Sequence, residues 1–342
     1  MKRQIYKSFA LALVCLSLPL IVVAQDIHYS NFGFSPLNMN PALTGVFNGE
    51  YRGTANYRNQ WNGVPVNYTT YSGSVDMKMA SKQDIPPFRI GAFISHDKAG
   101  WSKLSNTALY ISGSYLRPLT VRDFVSGGLS LGLNQRAFKT GDLTWDDQFA
   151  NRRFDPTIVS QDATTFDQTI FYPDLSAGIN YHRQAPRQRS ALDVGFGYFH
   201  INNPTRSFKD GEPAVRCAPR YSLYANTNVK VSEAFDILLD GSAQFQGPHR
   251  EILGSVGGRL YLVDRHTKQI ALQAGITLRN GDAASPHVGI VYNRWKVAVN
   301  FDSNFSQFKT ASERFGGPEL NVVYIFAKVR PANYCALCPT YL

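Results

Sequence analysis

From residue 50 onward the chain alternates. Fourteen period-two segments follow one another, separated by turn residues: roughly 50–61, 67–79, 89–97, 104–117, 124–138, 171–184, 190–200, 220–231, 235–246, 251–263, 268–280, 286–293, 296–307 and 317–328. In the fifth, Val125, Gly127, Leu129, Leu131 and Leu133 oppose Ser126, Gly128, Ser130, Gly132 and Asn134. In the ninth, Phe235, Ile237, Leu239, Ala243 and Phe245 oppose Asp236, Asp240, Ser242, Gln244 and Gln246. Such strands suit either a soluble sandwich or the wall of a membrane barrel, because both demand one apolar and one polar face.

Three features separate the two. Many segments run to 11–15 residues, closer to the roughly 9–11 that a tilted strand needs to cross a bilayer than to the usual 5–6. Their number is even. Both very long connections, 139–170 and 201–219, fall on the same side of the wall, and short turns on the other, which is the loop asymmetry of outer-membrane barrels. After residue 24 no apolar run reaches the roughly 20 residues of a spanning helix, so a chain of this kind in a membrane crosses it as strands. Aromatics near segment ends, Trp61, Tyr68, Phe88, Trp101, Tyr115, Phe124, Phe235, Phe245, Trp295 and Phe326, fit girdles at the two interfaces.

The start of the chain reads as an export signal: Lys2, Arg3 and Lys7, an apolar run from Phe9 to Val23, then small Ala24 before a cut. The expected organisation is therefore a signal peptide (1–24), an N-terminal plug segment (25–49), an all-β outer-membrane barrel of about 14 strands (50–328) and a periplasmic tail (329–342). The whole chain carries a formal charge of +10, which falls to +7 when the three basic residues of the signal are removed. Export argues for lipid head groups, not nucleic acid, as the partner of that excess.

On the polar faces stand Arg52, Arg58, Arg136, Asp174, His182, Asp193, Arg220, Lys230, Asp236, Asp240, Arg259, Arg279, Lys296, Asp302 and Glu319. Inside a barrel these must pair with one another, with water or with the N-terminal segment, because an unpaired buried charge costs several kcal/mol. A lumen crossed by such pairs is not a wide pore. Catalytic signatures are missing: there is no HExxH, no GxSxG and no Gly-rich phosphate loop, and seven His are dispersed. The reading is a non-enzyme without cofactor or metal. Cys335 and Cys338 offer one CxxC and no second pair, and Cys217 lies on the opposite side of the wall. The 139–170 connection carries six Asp in a spacing unlike an EF-hand, and its length suggests partner binding.

Phe32 to Trp61 leads into the wall: Pro36 suits a first helical turn, Asn40 is a candidate cap, Gly45 suits a helix stop, and Tyr51 to Trp61 alternates. Here the chain resembles a known family. QDIHYSNFGFSPLNMNPALTG (Gln25–Gly45) with Arg52 and YRNQW (Tyr57–Trp61), LTWDDQF (Leu143–Phe149) with FDP (Phe154–Pro156), YFHINNPTRSF (Tyr198–Phe208), GGPELNVVYIF (Gly316–Phe326) and Cys338-Pro339 resemble the PorP/SprF family of type IX secretion membrane proteins of Bacteroidetes.

The resemblance implies an outer-membrane barrel related to fatty-acid-transporter-like folds. It implies a non-enzymatic platform for secretion or surface anchoring of an adhesin-like cargo, as in gliding motility. The implied partners are a secreted surface protein with a type IX C-terminal domain and a periplasmic or peptidoglycan-linked machine protein. Candidate partner-binding residues are Asn38, Asn40, Pro41, Trp145, Asp146, Asp147, Phe154, His200, Asn203, Pro204, Cys338 and Pro339. The alternative function is a channel for a small hydrophobic solute.

Overall fold

Strands β1 (Tyr51–Gln60) and β16 (Phe315–Phe326) lie antiparallel, with Tyr51 opposite Phe326 and Arg58 opposite Glu319. That ladder joins the two ends of the sheet and leaves no free edge. The structure is a computed structural model describing residues 26–327, apart from 62–66, 82–85, 101, 140–142, 151, 162–168, 186–188, 209–214, 266–267, 307–309 and 311. The expected signal peptide and periplasmic tail, with Cys335, Cys338 and Pro339, and the aromatic Trp101, lie outside the described residues.

Between the closing strands run β2 (Tyr68–Lys78), β3 (Phe88–Ala99), β4 (Leu104–Pro118) and β5 (Asp123–Ala137). A two-stranded hairpin, β6 (Phe149–Ala150) and β7 (Arg153–Phe154), stands apart from the wall in the first long connection. The wall continues with β8 (Thr169–Gln184), β9 (Ala191–Phe199), β10 (Arg220–Lys230), β11 (Phe235–Gln246) and β12 (His249–Arg265). It ends with β13 (Lys268–Arg279), β14 (Ala283–Tyr292), β15 (Trp295–Asn304) and β16. The result is a closed barrel of fourteen antiparallel strands, each paired with its neighbours in the chain, β5 pairing directly with β8. Each of the fourteen expected segments corresponds to one wall strand. No helix among the described residues is long and apolar enough to cross a membrane.

The period-two pattern sorts as the sequence predicts. Outward positions such as Leu129, Leu131, Ile179 and Val288 are exposed, whereas Ser126, Ser130 and Asn134 on the alternate face are buried. An exposed band of Leu, Val and Ile on the outside and buried Ser, Asn and Arg on the inside is the reverse of a soluble core, and it fits a wall facing hydrocarbon.

Most described aromatics of the expected girdles face outward. Phe88 meets Tyr115 at 5.2 Å between ring centroids and Trp295 meets Tyr324 at 4.6 Å, at the end that carries the short turns. Trp61 and Tyr68 instead line a cavity inside the barrel, and Phe124 departs from the expectation too. It neighbours the outward Val125 in an alternating strand, so its ring points inward, 1% exposed and 5.9 Å from the His182 ring.

Candidate functional site

Residues 26–49 lie inside the barrel. The chain there makes three short helical turns, Phe32–Phe34, Pro36–Met39 and Pro41–Leu43. None is long enough to be stable alone, so their conformation depends on the surrounding wall. Asn40 is the joint between the last two. Its extended backbone ends the Pro36–Met39 turn, and its Oδ1 accepts from the Ala42 amide at 2.8 Å to cap the next. Its Nδ2 donates to the Ile179 carbonyl and the Tyr224 hydroxyl, at 2.8 and 3.0 Å.

The segment visits most of the wall in turn. Ser30 Oγ donates to Asp302 at 2.7 Å, and the Ser30 and Asn31 amides donate to Glu319 at 2.9 and 3.0 Å. Arg220 donates to the Asn38 carbonyl on the opposite side of the lumen. Ser126 and Ser114 then donate to the Ala42 and Thr44 carbonyls, and the Gly45 amide donates to Asp76 at 2.6 Å. Phe32, Met39, Leu43 and Val46 form an apolar cluster with Leu116, Phe124, Tyr224 and Leu253 of the wall.

Close approach of the two backbones requires missing side chains. A Cβ on Gly128 would stand 2.5 Å from the Pro41 carbonyl oxygen, and one on Gly178 would stand 1.8 Å from Asn40 Oδ1. Two inward-facing glycines thus make the seat for Asn40 and Pro41.

The inward charges form pairs. Arg52 meets Asp76 at 2.6 Å, Arg58 meets Asp302 at 2.8 Å, and Arg279 meets Glu251 and Asp302, both at 3.2 Å. Arg189 bridges Asp236 and Asp264 near the short turns. Removing one member of such a buried pair typically costs about 3–5 kcal/mol. Asp26, Asp76 and Glu251 were not among the charges singled out from the sequence. Asp76 could have been found there, because it continues the Ser72, Ser74 face of its strand.

At the end bearing the long connections, Asp26, His200 and Asp174 form a line. His200 Nε2 is 2.6 Å from Asp26 Oδ2, and its Nδ1 is 2.8 Å from Asp174 Oδ2. Arg220 Nε also lies 3.2 Å from Asp26, and Tyr110 donates to Asp174 at 2.5 Å. Burial pulls the His200 pKa down, but the Asp26 charge and the hydrogen bonds that the ring donates to Asp174 and Asp26 outweigh it and leave it well above the usual imidazole value. Burial opposes ionisation of Asp26 too, yet His200 and Arg220 hold its carboxyl far below the usual range. Asp26, His200 and Cys217 also bring three metal-ligand types within 4.8 Å of one another. With His200 already held between two carboxylates, the arrangement works as an ion-pair clasp between the inserted segment and the wall.

Above the segment, toward the long connections, a cavity of about 650 Å³ opens between Leu37, Pro41, Phe93, Tyr110, Arg136 and Arg206, among others.

The sequence-derived candidate residues divide into two groups. Asn38, Asn40, Pro41, His200 and Pro204 are buried within the barrel, and Asn203 beside them adopts a positive φ of 43°. Trp145, Asp146, Asp147 and Phe154 sit in the first long connection. There Gln148 Nε2 donates to the Ile158 carbonyl, Asp147 accepts from the Gln161 amide, and the β6–β7 hairpin exposes Phe149 and Phe154. Cys338 and Pro339 lie outside the described residues.

A closed antiparallel barrel with an apolar outer band and an ion-paired interior defines the class: an outer-membrane β-barrel protein. Within that class, the sequence over residues 21–324 matches the type IX secretion system membrane protein PorP/SprF family, and the chain belongs to it. No curated protein matches the sequence. Among solved structures, the Ralstonia pickettii toluene transporter TbuX is similar with a TM-score of 0.49 at 9% identity, covering 86% of this chain and 92% of that one. The monoaromatic hydrocarbon channel CymD gives 0.48 at 9%, covering 87% and 94%, and the P. putida toluene transporter TodX 0.43 at 10%, covering 85% and 93%.

Proposed function

We propose that this protein is a non-enzymatic docking platform of the type IX secretion system, held in the outer membrane with its long connections outside and its C-terminus in the periplasm. The observation that carries this reading is the filled lumen. Residues 26–49 are bonded to strands all around the wall, so a partner protein meets the barrel at its ends, and at the loop end Phe149, Phe154 and Val159 are exposed. In this reading the first long connection and residues 200–219 take up an exported, adhesin-like cargo bearing a type IX C-terminal domain. Trp145, Asp146, Asp147 and Phe154 supply contacts, while Asn38, Asn40, Pro41, His200, Asn203 and Pro204 hold the plug and the base of the second loop. The tail, with Cys338 and Pro339, faces a periplasmic machine or peptidoglycan-linked partner.

Deleting 143–168 tests it: display of surface adhesins falls while the barrel still assembles. Unchanged display removes the loop from the mechanism.

The 650 Å³ cavity favours a second reading, a channel for a small hydrophobic solute. It requires the inserted segment to move. Solute uptake by liposomes containing the purified chain would establish it.

A further inference from the structure

Three arginines on the cavity wall are already neutralised. Arg58, Arg220 and Arg279 lie 2.8, 3.2 and 3.2 Å from Asp302, Asp26 and Glu251. The exposed Arg250 also lines the cavity; Arg136 and Arg206 differ from the paired three. Both line the cavity, and among the described residues neither has a carboxylate within ion-pair distance. Arg206 is 7% exposed and its Nε has no hydrogen-bond partner. Its position is fixed by backbone bonds across the base of the second loop, where its amide donates to the Val215 carbonyl and the Cys217 amide donates to Pro204. Arg136 stands near the end of β5 with its guanidinium 5.4 Å from the Phe208 ring centroid. Arg206 stands on the same cavity lining.

Two guanidiniums on one cavity, Arg206 buried and Arg136 half-buried, keep donors that want an oxyanion. A carboxylate matches the planar fork of a guanidinium and supplies the missing counter-charge. The remaining lining carries polar groups, Asp97 and Asn134 among them, and its apolar part defines what the carboxylate is attached to. Leu37 and Pro41 of the inserted segment form an apolar floor, continued by Phe93, Ala108 and Phe199 of the wall. A volume of about 650 Å³ lies within the range of about 300–1,000 Å³ that holds small ligands.

We propose that this cavity binds a carboxylate carried on an apolar body, with Arg136 and Arg206 as the carboxylate subsite. The same chemistry is found on a free amphiphilic acid and on the hydrophobic C-terminal residue of a peptide. The inference stands whether or not the first long connection docks cargo, because it concerns the lumen and not the loop tips.

The test is titration calorimetry on the purified full chain in a neutral maltoside detergent. Four probes are used: octanoate, octanamide, and the peptide acetyl-Ala-Ala-Leu-Leu with its C-terminus free or amidated. At least one acid binds saturably and at least about tenfold more tightly than its amide. Arg136→Gln weakens that acid by about tenfold or more and leaves its amide unchanged. Arg117→Gln, exposed at the opposite end of β4, changes neither. Because Arg206 is buried, Arg206→Gln is scored only if it keeps the heat-modifiable migration of a folded barrel, and Arg136→Gln carries the test otherwise. Whether octanoate or the free-acid peptide binds identifies the source of the carboxylate. No saturable binding of either acid, equal binding of acid and amide, or an unaffected Arg136→Gln variant each overturns the proposal.

Discussion

Arg52 and Asp76 face each other across β1 and β2 at 2.6 Å, and the pair also grips the inserted segment. Asp76 accepts from the Gly45 amide at 2.6 Å, while Arg52 donates to the Leu43 and Val46 carbonyls. One ion pair therefore staples the wall to the chain that precedes it. Asp76→Asn leaves the Arg52 charge buried without its counterion and should destabilise the barrel by about 3–5 kcal/mol. The apolar double variant Arg52→Leu with Asp76→Leu should recover part of that loss. Urea midpoints of heat-modifiable migration would measure both, and a double variant no better than Asp76→Asn would contradict the assignment.

The clasp at the other end of the segment sets a pH window. His200 faces Asp26 of the inserted segment, Asp174 of β8 and Cys217 of the second loop, with Arg220 of β10 on Asp26. A histidine whose folded pKa is raised contributes stability in full below its unfolded value of about 6.5, and the contribution is lost as pH rises through the folded pKa. Asp26, whose folded pKa is depressed, contributes in full above its unfolded value of about 3.9 and loses that contribution as pH falls. The clasp is thus strongest between about pH 4 and 6.5. Protection of residues 26–31 from hydrogen exchange should decline on the alkaline side in the wild type, and His200→Gln should abolish that decline.

Gly127 and Gly128 are adjacent on β5 and should behave oppositely. A Cβ on Gly127 meets nothing within 4 Å, whereas one on Gly128 collides with the Pro41 carbonyl at 2.5 Å. Gly127→Ala should change stability by no more than about 0.5 kcal/mol, and Gly128→Ala should cost about 1–3 kcal/mol. Limited proteolysis should also open residues 36–45 in Gly128→Ala alone. Equal behaviour of the two variants would remove the segment from the lumen.

Leu131 lies on the outer face near the middle of β5, 59% exposed. Arg in its place should cost about 2–4 kcal/mol in a bilayer and little in a detergent micelle, where the head group reaches water. Folding yields into thin and thick lipid vesicles would read the difference.

How far the sequence alone could be read follows from the range of each interaction. Leu129 next to Ser130 reveals a wall strand without any partner being known, because lipid and lumen impose opposite demands at every second position. The cap at Asn40 is legible for the same reason, since its acceptor serves Ala42 two residues away. Ser30 with Asp302 and Asn38 with Arg220 are 272 and 182 residues apart, and nothing local marks them as partners. Loop counting puts Cys217 in the second long connection, where it lies, but nothing local shows that its side chain is buried beside His200 and Asp26.

The sequence by itself determined the fourteen strands, their two faces and the family, since these depend on period and on contiguous motifs. Only the tertiary structure decided which wall residues hold 26–49 in the lumen, which carboxylate each arginine meets, and that Arg136 and Arg206 face a cavity. Those outcomes depend on closure of the barrel, which sets strands remote in the chain across a few ångströms of lumen where an unpaired charge is costly.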